Sequence, residues 1–391
     1  MSAMRILLAT SRNWHLGHTA SALAYRNTLA SLWMADKRPF GVSSDLYRRC
    51  WPYHIAMKPF YHLATQILSE KATYAMIGLW SSWLRFTLRS GLCPHYDVAH
   101  AIMGFGTELF DQAEKCGALK VLDCPNSHPT TYYGFWQREC DLWCPGEKVP
   151  IPQWMFARMN RELERADCVL VQSDFCRDSM VLNGIPEKKV FINPMGVDTS
   201  MFLPRQSVPL KPRFICVGTI CLRKGHQYLF RAFEILKRKL PQAELICIGD
   251  YKSDFRRQRK KWEGSFTHIP HIPHSKIAQL LRACTAFVFP SQEEGIARAQ
   301  IEALAAGLPV IGTHEGGATT LVRNGIEGFI VRGRDPQHIA DAMIQVFLDP
   351  ELNQKMGEAA YKKGAFKNTW QDYGDRLLEE YRRRLAIFKH P

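Results

Sequence analysis

Two carboxylates eight residues apart, Glu294 and Glu302, sit in the segment AFVFPSQEEGIARAQIEALAAGLPVIGT, residues 286–313. Residues 286–289 read as a buried strand, Pro290 and Ser291 end it, and a helix is expected from about Ile296 to Ala306. Gly307 supplies the helix stop, and Pro309 blocks continuation before the next strand. Such a unit places its turn at the carboxyl end of a parallel sheet, where open α/β sheets bind ligands. The amino end of the helix offers unpaired N–H groups and a positive dipole end, both suited to phosphate. Gly295 lets a ligand approach the backbone closely. At a rise of roughly 1.5 Å per residue the acids are at most about 12 Å apart, enough to bracket a diphosphate and grip hydroxyls on either side. The same spacing equally suits a solvent-facing Glu302 and a Glu294 that serves only the helix dipole.

A second set of groups lies in FICVGTICLRKGHQYLFRAFEIL, residues 214–235. Gly218 permits a tight turn after a strand, followed by Thr219, and Arg223 and Lys224 bring positive charge to the start of a helix. Cations there would neutralise a leaving diphosphate; two solvated bases at a helix start are the plainer alternative. In the first half, Gly17 could let a loop approach a phosphate, with His15 and His18 beside it. His100 closes the run DVAHA, and Asp123 and His128 lie in LDCPNSHP. Strand ends are where functional side chains collect in such sheets, although a loop histidine is equally suited to capping a turn.

These groups need a scaffold, and the sequence describes one. Strands are expected at residues 5–9, 98–102, 120–123, 168–172 and 190–193, and again at 214–217, 244–248, 286–289, 309–312 and 328–331. Longer helix-like stretches separate them, which implies parallel sheets flanked by helices, hence an α/β fold. Three prolines in FLPRQSVPLKPRF, residues 202–214, mark a linker between two domains. Residues 373–388 form a basic amphipathic helix with Leu377, Leu378, Tyr381 and Leu385 on one face.

Charge and cysteine usage narrow the class. The net charge is +14, and residues 201–391 carry 30 Lys and Arg against 19 Asp and Glu, whereas residues 1–200 carry 21 against 18. A basic second half favours an anionic partner, yet no nucleic-acid-binding motif accompanies it. The 12 cysteines lack zinc-site spacing and several lie in apolar strand-like runs, so no metal is expected and a reducing cytoplasm fits. MRILLATS reads as a strand rather than a signal peptide, and no apolar run approaches the roughly 18–20 residues that span a bilayer. Residues 37–89 combine eight Lys and Arg with two acids and with Trp51, Tyr53, Phe60, Tyr61, Trp80 and Trp83. That pattern suits either contact with an anionic membrane or an aromatic core with solvated charges. Arg256–Lys261, RRQRKK, reads as a solvated face.

Segment 286–313 resembles the E-x7-E signature of retaining glycosyltransferases of family 4, which have the glycosyltransferase-B (GT-B) fold. The resemblance implies two Rossmann-like domains facing across a deep cleft. An acceptor-binding domain would span residues 1–203 and a donor-binding domain 206–371, with helix 372–391 packing back on the first. It implies a nucleoside-diphosphate sugar, UDP- or GDP-linked, as donor. Glu294 and the N–H groups of Gly295, Ile296 and Ala297 would contact the donor sugar, Glu302 the ribose, and Lys224 the phosphates. THEGGATTLVRNGIEGFIVRGRD, residues 313–335, resembles the family's Gly-Gly loop, so Gly316 and Gly317 would approach the donor. His128 would contact the reacting sugar, and His18, His100 and Asp123 the acceptor. Gly196-Val197-Asp198 resembles a structural signature of the family, and Trp370 resembles the start of its return crossing. Departures are Thr219 where Arg is usual, Ala297 where Gly is usual, Thr320 where Glu is common, and Ile102 where a second histidine would stand.

The expected activity is therefore retaining transfer of a hexosyl group to an acceptor hydroxyl in glycan or glycolipid biosynthesis. Neither metal nor other cofactor is required, and the acceptor is a saccharide or lipid-linked molecule. The expected location is cytoplasmic, at the inner face of the membrane if the basic aromatic segment makes contact there. A sugar-nucleotide-binding relative without catalysis and a basic nucleic-acid-binding protein are the alternatives.

Overall fold

The computed structural model describes residues 4–10, 13, 15–50, 70–90, 93–146, 149, 151–256, 258–367 and 369–389. The chain builds two parallel sheets. The first contains β1 (Ile6–Thr10), β2 (Leu29–Met34), β3 (Tyr47–Arg49), β4 (Val98–Ile102), β5 (Leu119–Cys124), β6 (Cys168–Val171) and β7 (Val190–Ile192) in the order β3-β2-β1-β4-β5-β6-β7. The second contains β8 (Arg213–Val217), β9 (Glu244–Ile248), β10 (Thr267–Ile269), β11 (Ala286–Phe289), β12 (Val310–Thr313) and β13 (Gly328–Val331) in the order β10-β9-β8-β11-β12-β13. Their central strands are short apolar runs such as ILLAT and AFVF, buried at every position because helices cover both faces. Together the two helix-flanked sheets form the bilobed α/β architecture of GT-B proteins.

Each sheet reverses its strand order once, between β1 and β4 in the first and between β8 and β11 in the second. At a reversal the connections leave to opposite sides and open a crevice beyond the strand carboxyl ends. The second crevice therefore receives Gly218, which follows β8, and Pro290 to Glu294, which follow β11.

Three strands escape the sequence reading. β2, LASLWM, is built largely from good helix formers and becomes a strand because it fills the position beside β1, with Leu7 opposite Ser31 and Leu8 opposite Leu32. β3 and β10 are three-residue edge strands with little apolar character. The helix after β11 runs Arg298–Ala305, later than its expected start near Ile296, because Ala297 is extended (φ −74°, ψ 117°).

Two hydrophobic cores follow the two sheets. Met195 and Val197, ahead of the proline-rich linker, and Phe202, its first residue, already pack in the second core. The last helix, Trp370–Lys389, returns to the first core, where Tyr373, Leu377, Leu378, Tyr381 and Leu385 are buried. A bridge between Val197 and Thr369 holds the outgoing and returning chains together, and Arg376 bonds Asn193 Oδ1 (2.8 Å) and the Pro194 carbonyl (3.0 Å). Trp80 is buried and Trp83 packs edge-on against Trp33, so these two aromatics of residues 37–89 serve the core; Trp51, Tyr53, Phe60 and Tyr61 lie outside the described residues. Within RRQRKK, Lys261 lies 5.0 Å over the Trp262 ring. No disulfide links any of the twelve cysteines, all of which are among the described residues. Among the described residues no helix is long and apolar enough to cross a membrane.

Removing the fully buried Leu377 side chain leaves a cavity where the returning helix meets the first sheet. Leu377→Ala should lower unfolding free energy by about 2–5 kcal/mol in urea titrations; a change below about 0.5 kcal/mol would show that the helix does not anchor there.

Candidate functional site

Glu294 stands where two cavities meet. One, of about 340 Å³, lies over the carboxyl ends of β8, β9 and β11 and is lined by Gly218, Thr219, Lys224, Asp250, Ile296, Ala297 and Glu302. The other, of about 1010 Å³, lies between the domains and is lined by His15, Gly17, His18, Phe40, Asn126 and Trp370. Glu294, Ile296 and Arg298 line both.

The sequence builds the smaller cavity simply. Gly218 adopts φ +144°, and a Cβ there would stand 3.1 Å from Lys224 Nζ, so glycine leaves the ammonium its place. Lys224 Nζ then lies 3.5 Å from Glu294 Oε2 and 5.4 Å over the Phe289 ring. Burial raises the pKa of the Glu294 carboxyl, but Arg223 and Lys224 outweigh that and hold it below its ordinary value. The helix Arg298–Ala305 has no side-chain cap, so its first N–H groups are left for a ligand or solvent. Glu302 lies about one turn into this helix and is only 5% exposed, which removes the solvent-facing alternative. Its Oε1 accepts contacts from Arg298 Nε (3.2 Å) and His274 Nδ1 (3.3 Å).

Several expected ligand contacts prove to be contacts within the protein. Arg223 does not line either cavity; its Nη1 bonds the Glu293 carbonyl (2.5 Å) and Oε2 (2.9 Å) and reaches Glu294 Oε2 (3.4 Å). A Cβ on Gly295 would stand 2.0 Å from the Pro125 carbonyl oxygen, so that glycine admits the opposite domain's backbone on that side. A Cβ on Gly317 would stand 2.4 Å from the Gly295 carbonyl oxygen, and Gly316 lies against Thr313 Oγ1; neither lines either of these two cavities. Thr320 crosses the domain boundary to Asp174, accepting from its N–H (2.9 Å) and donating to its carboxylate (3.0 Å).

In the first domain, Gly17 is part of the helix His15–Tyr25 rather than a loop, and a Cβ would run into Asn13 Oδ1. His18 faces the larger cavity and stacks on Trp370 at 4.4 Å. His100 and Asp123 lie beneath that surface, buried and bonded to each other (3.3 Å), out of an acceptor's direct reach. His128 lines neither cavity. It is the N-cap of helix Pro129–Trp143, where Nδ1 accepts from Thr130 N–H (3.2 Å); the turn-capping alternative is what the structure contains.

Two residues that sequence reasoning passed over, Glu293 and Glu139, bond across the domain boundary. Glu293 is fully buried; Ser127 donates to its Oε1 through N–H (3.0 Å) and Oγ (2.8 Å), and Asn126 donates to Oε2 (3.1 Å). Glu139 does the same on the helix Pro129–Trp143, accepting from Gln227 (2.8 Å), Tyr228 (2.9 Å) and Arg334 (2.6 Å) of the second domain. The only sequence signal for Glu293 was its place beside Glu294. Among the described residues no group of three or more His, Cys, Asp or Glu is arranged to hold a metal ion.

Burial pushes the His128 imidazole down to about 4 from an ordinary 6.5, so the fold favours its neutral form. Its contribution to stability is present above pH 6.5 and is lost as pH falls through about 4. His128→Asn, which keeps a capping acceptor without a titrating group, should flatten the fall in melting temperature over that range. His128→Ala should cost about 1 kcal/mol at neutral pH. An acid limb unchanged in His128→Asn would remove the histidine from this account.

Residues 204–363 match the family model for glycosyl transferases group 1. The chain is 27% identical over 262 residues to D-inositol 3-phosphate glycosyltransferase 1 of Catenulispora acidiphila, covering 61% of this chain and 62% of that one. It is 26% identical over 253 residues to the GDP-mannose-dependent alpha-(1-6)-phosphatidylinositol monomannoside mannosyltransferase of Mycolicibacterium smegmatis, covering 59% and 65%. The chain thus spans less than two thirds of the length of these relatives. In three dimensions it is similar to sucrose-phosphate synthase from Thermosynechococcus elongatus (TM-score 0.75, 18% identity, 98% of this chain and 100% of that one). It is also similar to Anabaena HepE, solved in complex with UDP-glucose (TM-score 0.67, 16% identity, 97% and 100%). The chain has the GT-B fold, and its second domain is related to the group 1 glycosyl transferases.

Proposed function

We propose that this protein is a retaining glycosyltransferase that moves a hexosyl group from a UDP- or GDP-sugar to an acceptor hydroxyl. The observation that carries the reading is Glu294, placed at the junction of the two cavities with Lys224 at 3.5 Å and with Glu302 lining the smaller cavity. In this reading the nucleotide occupies the smaller cavity, with its ribose hydroxyls on Glu302 and its diphosphate at Lys224 and the uncapped N–H groups near Ile296, Ala297 and Arg298. The donor sugar then projects toward Glu294, and the acceptor enters from the larger cavity beside His18 and Trp370. The catalytic term is electrostatic: Lys224 and the helix amino end stabilise charge that develops on the departing diphosphate. No metal is needed for that neutralisation, and no protein nucleophile is assigned.

Retention is taken from the likeness to family 4, and Ala297 narrows the space around the sugar relative to glycine. The relatives named for inositol phosphate and phosphatidylinositol substrates support a polyol, saccharide or lipid-linked acceptor in glycan or glycolipid synthesis. Such an acceptor would place the enzyme in the cytoplasm at the inner face of the membrane. The donor-binding role falls to residues 206–371, and the acceptor-binding role to residues 1–203 with the returning helix.

Thermal-shift measurements against a panel of UDP- and GDP-sugars should identify the donor. Nucleotide release in the presence of saccharide and inositol phosphate acceptors should then fall about 100-fold or more in Glu294→Ala and in Lys224→Ala, with far-UV circular dichroism unchanged. Near-normal release in both variants would refute the assignment. Stabilisation by a nucleotide sugar without any release would favour a binding-only relative.

A further inference from the structure

The proposed site leaves unused a buried chain of polar groups that ends at the cleft. β5 delivers Asp123 and β4 delivers His100 to the carboxyl side of the first sheet, and His15 opens the helix after β1. Asp123 Oδ2 takes both imidazoles, His15 Nε2 at 2.8 Å and His100 Nε2 at 3.3 Å. The far nitrogen of His100, Nδ1, meets the Tyr381 hydroxyl of the returning helix at 2.8 Å. Asp123 is 1% exposed, His100 and Tyr381 are fully buried, and His15 lines the larger cavity together with Glu294.

The tautomers follow from the partners. Burial raises the Asp123 carboxyl, but the two histidines outweigh it and hold the carboxyl well below the usual range, so it is ionised and can only accept. Both Nε2 atoms therefore carry the proton. His100 Nδ1 accepts from the tyrosine hydroxyl. In the neutral form of the ring, His15 Nδ1 carries a lone pair, and among the described residues no hydrogen bond runs to it. A histidine whose ring is held by Asp123 thus lines the cavity that an acceptor molecule would enter.

We infer that His15 holds the attacking hydroxyl of the acceptor, accepting a hydrogen bond from it through Nδ1, with Asp123, His100 and Tyr381 as the positioning residues behind it. The inference rests on the glycosyl-transfer reading. It gives His15 the hydroxyl contact that His100 and Asp123 are too deeply buried to make. The ligand class is an alcohol, and water is its smallest member.

Water also supplies the test, because a nucleotide sugar bound without an acceptor is hydrolysed by solvent. Nucleotide release is followed for whichever member of a UDP- and GDP-sugar panel the wild-type protein hydrolyses. His15→Ala should lower kcat about tenfold or more while KM for the nucleotide sugar stays within about twofold, because orientation of the attacking group is lost and donor binding is not. Free imidazole in the buffer should restore part of that rate, which a purely structural histidine would not allow. Asp123→Asn should give a smaller loss of kcat, and Tyr381→Phe a smaller one still, neither changing KM for the donor. Unchanged kcat in His15→Ala overturns the inference, as does a loss that imidazole fails to rescue and that a raised donor KM accompanies. If His15→Ala is too unstable to assay, His15→Gln, which keeps a polar side chain, is measured instead and should show the same split of kcat from KM. Absence of nucleotide release by the wild type with every donor, both in water alone and with the saccharide and inositol phosphate acceptors, removes the transfer reading itself and this inference with it; release with an acceptor but not in water moves the same kcat and KM comparison to that acceptor.

Discussion

Two adjacent carboxylates, Glu293 and Glu294, lie on one turn at the mouth of the second sheet, where placing two acids side by side is costly unless cations and donors stand close by. Arg223 reaches both, at 2.9 and 3.4 Å, and Lys224 reaches the second at 3.5 Å. The division of labour follows from what else each acid touches. Glu293 spends its remaining acceptor capacity on Asn126 and Ser127 of the opposite domain, so it is a fastener. Among the described residues the Glu294 carboxylate meets only the two cations, and it faces both cavities; in the proposed reading it takes a ligand's hydroxyl.

That arrangement requires the two domains to be set face to face. Each parallel sheet opens its crevice where the strand order reverses, and the contacts between domains bring the two crevices together. Glu139 and its three partners, the Thr320–Asp174 pair, and the close approach of Pro125 to Gly295 all lie around the same cleft. Buried hydrogen-bonded acids of this kind are costly to leave half-satisfied, which favours one relative placement of the domains. The returning helix Trp370–Lys389 adds a second tie, running from the second core to the first and contributing Trp370 to the cleft wall and Tyr381 to the buried chain behind His15.

Much of the second domain was legible in the sequence because its site is local. Gly218, Lys224 and Glu294 lie on the turns that follow β8 and β11, and Glu302 on the helix after β11, so each is placed by an apolar run close to it in sequence. Residues 244–248, 286–289 and 328–331 were placed at their observed bounds for the same reason. The first domain was harder. Its polar residues acquire meaning only from partners far along the chain: His100 meets Tyr381 across 281 positions, and His15 meets Asp123 across 108. The family resemblance pointed to His128, whose imidazole caps its own helix. Glycines misled in a consistent way. Gly17, Gly295 and Gly317 do permit close approach, but what approaches is Asn13, Pro125 and Gly295 itself; sequence marks the space without saying what fills it.

The central claim is that a nucleoside diphosphate lies between Lys224 and Glu302 with its distal phosphate directed at Glu294. The most direct measurement is a crystal structure with the nucleoside diphosphate that stabilises the protein best. The account predicts phosphate oxygens within hydrogen-bond distance of Lys224 Nζ and of the N–H groups that begin the helix Arg298–Ala305, and ribose hydroxyls on the Glu302 carboxylate. A nucleotide lodged away from the carboxyl ends of β8 and β11, or bound there with Glu302 still tied only to Arg298 and His274, would contradict it.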